Sequence, residues 1–161
     1  MKGAFYGRDE QIADMERLWS KRTSSFVTCR GRRRIGKSTL IERFAEVSGA
    51  RFIMIEGLRP TKGLSNFSEL EHFTVQLSAT TGRDFAVPSN WLKAFIDLDS
   101  AISDGKRTVV LLDEISWMAH YDASFAGTLK TAWDRYLKKH PKLILVVCGS
   151  VSSWIRENII D

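Results

Sequence analysis

The segment Gly31-Arg32-Arg33-Arg34-Ile35-Gly36-Lys37-Ser38 satisfies G-x-x-x-x-G-K-[ST] in full. Each fixed position has a physical use. Gly31 and Gly36 let the backbone curl until successive amide N–H groups converge on one point, where a phosphate oxygen is a natural acceptor. A helix beginning at Lys37 adds unsatisfied N-terminal donors and the positive end of its dipole. Lys37 is then a point charge within reach of the β- and γ-phosphates, and the Ser38 hydroxyl is a hard oxygen suited to Mg²⁺. The side chains of Arg32, Arg33 and Arg34 fill positions the pattern leaves open. They are expected mostly in solvent or against neighbouring elements, with one available to a partner or nucleic acid. Their backbone, together with that of Ile35, belongs to the phosphate cradle, and Thr39 follows it as part of the same nucleotide-binding segment.

A second constellation lies further along. Val109-Val110-Leu111-Leu112 runs directly into Asp113-Glu114, so an apolar strand delivers two carboxylates at its C-terminal end, where open α/β sheets bind ligands. Adjacent strand residues face opposite ways, which gives the two acids different tasks. Asp113 is expected to hold Mg²⁺, and Glu114 to act as general base on, or to orient, a water attacking the γ-phosphate. Cys148-Gly149-Ser150 ends another apolar run. If that strand lies between those of the phosphate loop and the acidic pair, Ser150 arrives beside the γ-phosphate and could sense it. Alternatively, Gly149-Ser150 turns the chain and caps a following helix.

The elements that must carry these groups can be read from hydrophobic spacing. Residues 8–20 form a short helix with Ile12, Met15, Leu18 and Trp19 on one face. Strand-like runs occupy 26–29, 52–55, 109–112 and 143–148. Residues 38–47 are helical through Leu40, Ile41, Phe44 and Val47, closing at Gly49. Residues 56–65 read as a loop. Leu64, Phe67, Leu70, Phe73 and Leu77 then mark a helix capped by Ser65 or Asn66. Another follows Pro88, with Ser89 as cap, Trp91, Leu92, Phe95, Ile96 and Ile102 inward, and Gly105 as stop. A helix over 123–139 carries Phe125, Leu129, Trp133, Tyr136 and Leu137, and a last helical piece spans 152–158. Strands alternating with helices predict one domain over residues 1–161, an α/β fold with an open sheet covered on both faces.

Composition narrows the function. The chain has 161 residues, 27% charged and 43% hydrophobic, with nine Phe, five Trp and three Tyr, which is the make-up of a folded globular domain. No run reaches the roughly 18 apolar residues of a membrane span, and Met1-Lys2-Gly3 does not open a secretory signal. Cys29 and Cys148 sit in apolar runs without neighbouring His or Cys, which argues against zinc and for thiols in a reducing cytoplasm. Asn66-Phe67-Ser68 matches a glycosylation acceptor that is expected to stay unused there. The net charge of +5 is concentrated at residues 30–34 and is the sole support for nucleic-acid binding.

Taken together, Phe5-Tyr6-Gly7-Arg8-Asp9-Glu10, the loop Gly31 to Ser38, Leu111-Leu112-Asp113-Glu114 and Cys148-Gly149-Ser150 resemble the archaeal-type ATPase family. That family belongs to the STAND class of P-loop NTPases, related to AAA+ ATPases. The resemblance implies a three-layer fold with a mostly parallel sheet of the additional-strand type, in the order five-one-four-three-two. It places Tyr6, Gly7 and Arg8 near the nucleotide base and Ser150 at a sensor-like position. It also implies a longer protein, with helical, winged-helix and often nuclease-like parts beyond an ATPase core.

The resulting expectation is ATP binding with slow Mg²⁺-dependent hydrolysis, used as a conformational switch. Glu114 disfavours a small-molecule kinase, because a water-activating acid next to Asp113 suits hydrolysis. A DNA-associated module without catalysis is the other alternative. No Asn-Lys-x-Asp run supports guanine, and the loop is not the G-x-G-x-x-G of nicotinamide enzymes. Because four strand-like runs are found, the expected order is 1-4-3-2 with the fifth strand missing and the C-terminal side incomplete. The 26–29 strand would then be an apolar edge open to self-association or to a protein partner.

Overall fold

The structure, a computed structural model, describes residues 8–29, 37–149 and Asn158. Helix α1 (Arg8–Glu16) passes through a 3-10 turn (Arg17–Lys21) into strand β1 (Ser25–Cys29). Helix α2 (Lys37–Val47), β2 (Arg51–Glu56), α3 (Asn66–Thr81) and α4 (Trp91–Ala101) follow. Then come β3 (Thr108–Asp113), a short α5 (Ile115–Met118), α6 (Phe125–Ala132), a π-helical turn (Trp133–Leu137) and β4 (Leu143–Cys148). The helix expected over 152–158 lies outside the described residues, apart from Asn158.

The four strands form one parallel sheet in the order β1-β4-β3-β2. The expected order is therefore observed, with β4 as the additional strand between β1 and β3. Among the described residues no fifth strand lies outside β1. Every residue of β4 is buried, as are Thr108 to Leu112 of β3. That explains why both read as unbroken apolar runs, since central parallel strands are covered on both faces. On one face, Ile12 and Met15 of α1 and Leu40, Ile41 and Phe44 of α2 pack on Val109, Leu111, Ile144 and Val146. On the other, α3, α4, α5 and α6 bury Leu70, Phe73, Trp91, Phe95, Ile115 and Phe125 against Ile53, Ile55, Val110 and Leu145. This is the three-layer arrangement predicted from the sequence.

Trp91 is the hub of the larger core. Its ring meets Phe125 edge-on at 4.9 Å and Phe73 at 5.5 Å, and its indole N–H donates to Asn66 Oδ1 at 2.9 Å. Aromatic pairs in this geometry contribute about 0.5–1.5 kcal/mol each beyond area burial. The Asn66 side chain is thus engaged inside the fold.

Several local expectations change. Asn90, not Ser89, caps α4, because its backbone is extended and its Oδ1 accepts from Lys93 N at 2.9 Å. Leu92 and Ile96 are half-buried, with Ala94 and Leu98 taking the inward positions. Phe67 and Val47 are 57% and 50% exposed. Asn66 is the residue that points to Trp91, and Phe67 lies about 100° further round the helix. The expected single helix over 123–139 is α6 followed by the π turn, in which Lys138 N bonds Trp133 O at 2.9 Å. The extra residue in that turn brings Leu137 onto the buried face used by Leu129 and Ala132.

Candidate functional site

Strand register brings the ends of the strands that lead towards the sequence motifs to one end of the sheet. Cys29, the last residue of β1, is the register partner of Cys148, the last of β4. Leu112 pairs with Val147, so Asp113 follows at the same level on β3, where it pairs with Glu56 of β2. The phosphate-loop strand, the strand leading to Gly149-Ser150 and the acidic strand are consequently adjacent, in that order, with their C-terminal ends in a row. Helix α2 begins at Lys37. The condition placed on Ser150 from the sequence, that its strand lie between the other two, is met by β4.

The individual candidates divide as follows. Tyr6, Gly7, Gly31, Arg32, Arg33, Arg34, Ile35, Gly36 and Ser150 lie outside the described residues. For Arg8 and Lys37 the backbone is described, as the first residues of α1 and α2. Ser38 is half-buried one residue into α2, and Thr39 is exposed. Asp113 is half-buried at the end of β3, and its Oδ1 accepts from the Glu114 backbone N–H at 2.9 Å. Among the described residues no cluster of three or more His, Cys, Asp or Glu side chains is arranged for a metal ion.

Glu114 departs from strand geometry. Its backbone is left-handed, φ 53° and ψ 51°, and it caps α5, with its carbonyl accepting from Trp117 N at 3.0 Å. Such a conformation costs a non-glycine residue about 1–2 kcal/mol, and it persists where the surroundings over-determine it. The residue is 2% exposed, against a half-buried Asp113. The two acids do occupy different environments, but a sharp strand-to-helix elbow separates them, not the strand alternation expected from the sequence.

Three residues that sequence reasoning did not select hold this elbow. The Gly57 N–H donates to Asp113 O at 2.9 Å. Gln76 of α3 clamps Glu56 on both backbone groups, its Oε1 accepting from Glu56 N and its Nε2 donating to Glu56 O, each at 2.9 Å. Glu69, one turn-pair earlier on α3, accepts from Leu58 N at 2.9 Å through Oε1. Glu69 is 1% exposed and its Oε2 is buried with no hydrogen-bond partner. Burial pushes its carboxyl up to about 7, and the Leu58 N–H only partly offsets this. The signal was available: Glu69 and Gln76 lie seven residues apart on the stripe of α3 that buries Leu70, Phe73 and Leu77, and polar residues in an apolar stripe require partners.

Comparison with known proteins agrees with the fold. Residues 5–161 match the family model for an ATPase domain predominantly from Archaea. An uncharacterized ATP-binding protein of Methanocaldococcus jannaschii is 38% identical over 42 residues, which is 26% of this chain and 71% of that protein. Among solved structures, the Walker-type ATPase PABY2304 of Pyrococcus abyssi superposes with a TM-score of 0.66 at 16% identity, covering 97% of this chain and 48% of that one. The Aeropyrum pernix ORC2 protein, solved as ADPNP–ADP complexes, gives 0.64 at 17% identity, covering 98% and 47%. The chain therefore spans just under half the length of these two proteins, and at such identities the likeness is one of fold. Among the described residues no helix is long and apolar enough to cross a membrane. The match over nearly the whole sequence, on a parallel 1-4-3-2 sheet, means that the chain belongs to the family of ATPase domains found predominantly in Archaea.

Proposed function

We propose that this domain binds ATP with Mg²⁺ at the C-terminal ends of β1, β4 and β3, and hydrolyses it slowly to ADP and phosphate as a cytoplasmic conformational switch. The observation that supports the reading is the register, which levels the C-terminal ends of β1 and β4 and sets β3, beside β4, to lead into the Asp113–Glu114 elbow at that same end of the sheet.

In this reading the backbone of Gly31 to Ser38 and the Lys37 ammonium hold the β- and γ-phosphates. Ser38 and Asp113 suit Mg²⁺, which takes hard oxygen ligands and needs only one or two from protein beside phosphate and water. When bound, the ion neutralises charge developing on the transferred phosphoryl group. Glu114 accepts a proton from the attacking water as the bond from the γ-phosphorus to the β–γ bridging oxygen breaks and ADP leaves. Its burial strengthens that interaction by excluding competing water. Ser150 senses the γ-phosphate, and Tyr6, Gly7 and Arg8 lie by the base. The domain is one ATPase core whose sheet accepts a further strand beside β1, from a protein partner or a second copy.

Isothermal titration with Lys37→Ala tests the assignment. Loss of a charge-assisted phosphate contact lowers ATP affinity at least about tenfold, and equal affinities would overturn the site. Comparing thermal stabilisation by ATP, GTP and duplex DNA separates the reading from a DNA-associated module.

A further inference from the structure

The chain has two cysteines, and the fold makes them neighbours. Cys29 ends β1, Cys148 ends β4, and the two are register partners in the parallel pair. They also share a face of the sheet. Val27, Cys29, Val146 and Cys148 belong to the core beneath α1 and α2, whereas Phe26, Leu145 and Val147 belong to the opposite one. Neighbouring strands lie about 4.8 Å apart. Disulfides form across Cα separations of about 4.4–6.8 Å, so in-register residues on one face are within bridging range. The preferred Cβ separation in a disulfide is about 3.8 Å, and closure therefore draws the two roots together by roughly 1 Å. Cys29 is half-buried and Cys148 is 1% exposed, which makes Cys29 the thiol that a small oxidant reaches first.

We propose that Cys29 and Cys148 form a redox modification site that reacts with a peroxide and closes to a disulfide across the β1–β4 seam. The Cys29 thiolate attacks one peroxide oxygen, the O–O bond breaks, and the departing oxygen leaves as water after taking up a proton. The Cys148 sulfur then displaces the sulfenic hydroxyl of Cys29, forming the S–S bond and releasing a second water. Two thiols are oxidised and one peroxide is reduced to two waters. A thiol reductant reverses the bond.

The location gives the bond a consequence, and this part rests on the ATP-site reading above. Cys29 leads into residues 31–38 and Cys148 into Gly149-Ser150, so the staple ties together the roots of both segments. Displacements of about 1 Å at a binding or reacting centre cost up to about a hundredfold. Oxidation is accordingly expected to lower ATP affinity at least fivefold, with recovery on reduction.

The test begins with the wild-type chain treated with hydrogen peroxide. Intact mass should fall by two hydrogens without dimer formation, and non-reducing peptide mapping should join the Cys29 and Cys148 peptides. Cys148→Ser should stop at a sulfenic acid on Cys29, trapped by a sulfenic-acid-specific dione. Absence of the intramolecular cross-link in folded wild-type protein, or a cross-link between chains only, overturns the site. Cross-linking with unchanged ATP affinity overturns the regulatory consequence. Cross-linking in a protein whose reduced form binds no ATP supports the redox site and tells against the nucleotide reading, so the two fail separately.

Discussion

Gly57 and Glu114 meet backbone to backbone: a Cβ placed on Gly57 would lie 2.6 Å from the Glu114 carbonyl oxygen and 2.9 Å from the Trp117 Cβ. The Gly57 N–H also donates to the carbonyl of Asp113. The chain leaving β2 and the acidic elbow leaving β3 therefore form one rigid unit, tied to α3 through Gln76 and Glu69. This close approach, rather than any need for a positive φ, makes position 57 a glycine.

Gly57→Ala tests that unit. The obstructing atoms are backbone and an α5 Cβ, which cannot swing aside, so the elbow must shift. Overpacking of this kind costs about 1–3 kcal/mol. Thermal unfolding should register the loss, and ATP hydrolysis should fall more than ATP binding, because the displaced elbow carries Glu114. Unchanged melting and turnover would show that the contact is slack.

Glu69 predicts a pH dependence. Between the ordinary glutamate value of 4.5 and about 7, folded Glu69 keeps a proton that the unfolded chain has lost. The folded state binds more protons in that window, so this group's contribution declines as pH rises through it and levels off above 7. The shift corresponds to a loss on the order of 3 kcal/mol. Glu69→Gln cannot ionise, and its melting temperature should be flatter than wild type from pH 5 to 8 and higher at pH 8. Parallel curves for the two proteins would assign the slope to other groups.

The contrast between Glu69 and Lys37 shows what sequence made legible. The loop Gly31 to Ser38 and the acids Asp113 and Glu114 are local patterns, so the chemistry proposed for them is an expectation drawn from spacing. The runs 109–112 and 143–148 announced central strands because burial on both faces leaves no polar alternation. Glu69, Gln76 and Gly57 act through partners on another element, so their roles appear only once β2, β3 and α3 are assembled. The left-handed Glu114 was hidden for a related reason: a strand pattern predicts continuation, and the turn into α5 is imposed by the packing of Ile115 and Met118. Phe67 was misplaced because apolarity does not say which of two adjacent residues meets Trp91.

Glu114→Gln and Asp113→Asn should have different consequences. Glutamine keeps the size and hydrogen-bonding capacity of Glu114 but cannot take a proton, so ATP should bind with near wild-type affinity while hydrolysis drops by about 10²-fold or more. Asp113→Asn should instead weaken the Mg²⁺ dependence of ATP binding. Single-turnover hydrolysis and titration with and without Mg²⁺ distinguish them. A wild-type hydrolysis rate in Glu114→Gln would move the water-activating role elsewhere.

The last prediction concerns β1. Its sequence, Ser25-Phe26-Val27-Thr28-Cys29, has the branched and aromatic make-up of an interior strand, yet β4 is its one strand neighbour among the described residues. Burial reflects this: residues 26–29 are half-buried, whereas all of β4 is buried. An apolar edge strand, with the alternate backbone groups that do not face β4 turned outward, favours pairing with another strand. The purified chain is therefore expected to self-associate with rising concentration, as measured by multi-angle light scattering. Hydrogen exchange supplies the independent readout. The amides of 25–28 that do not face β4 should be weakly protected in dilute protein and become protected as the chains associate. A monomer at every concentration, with those amides strongly protected throughout, would mean that the edge is already covered within one chain.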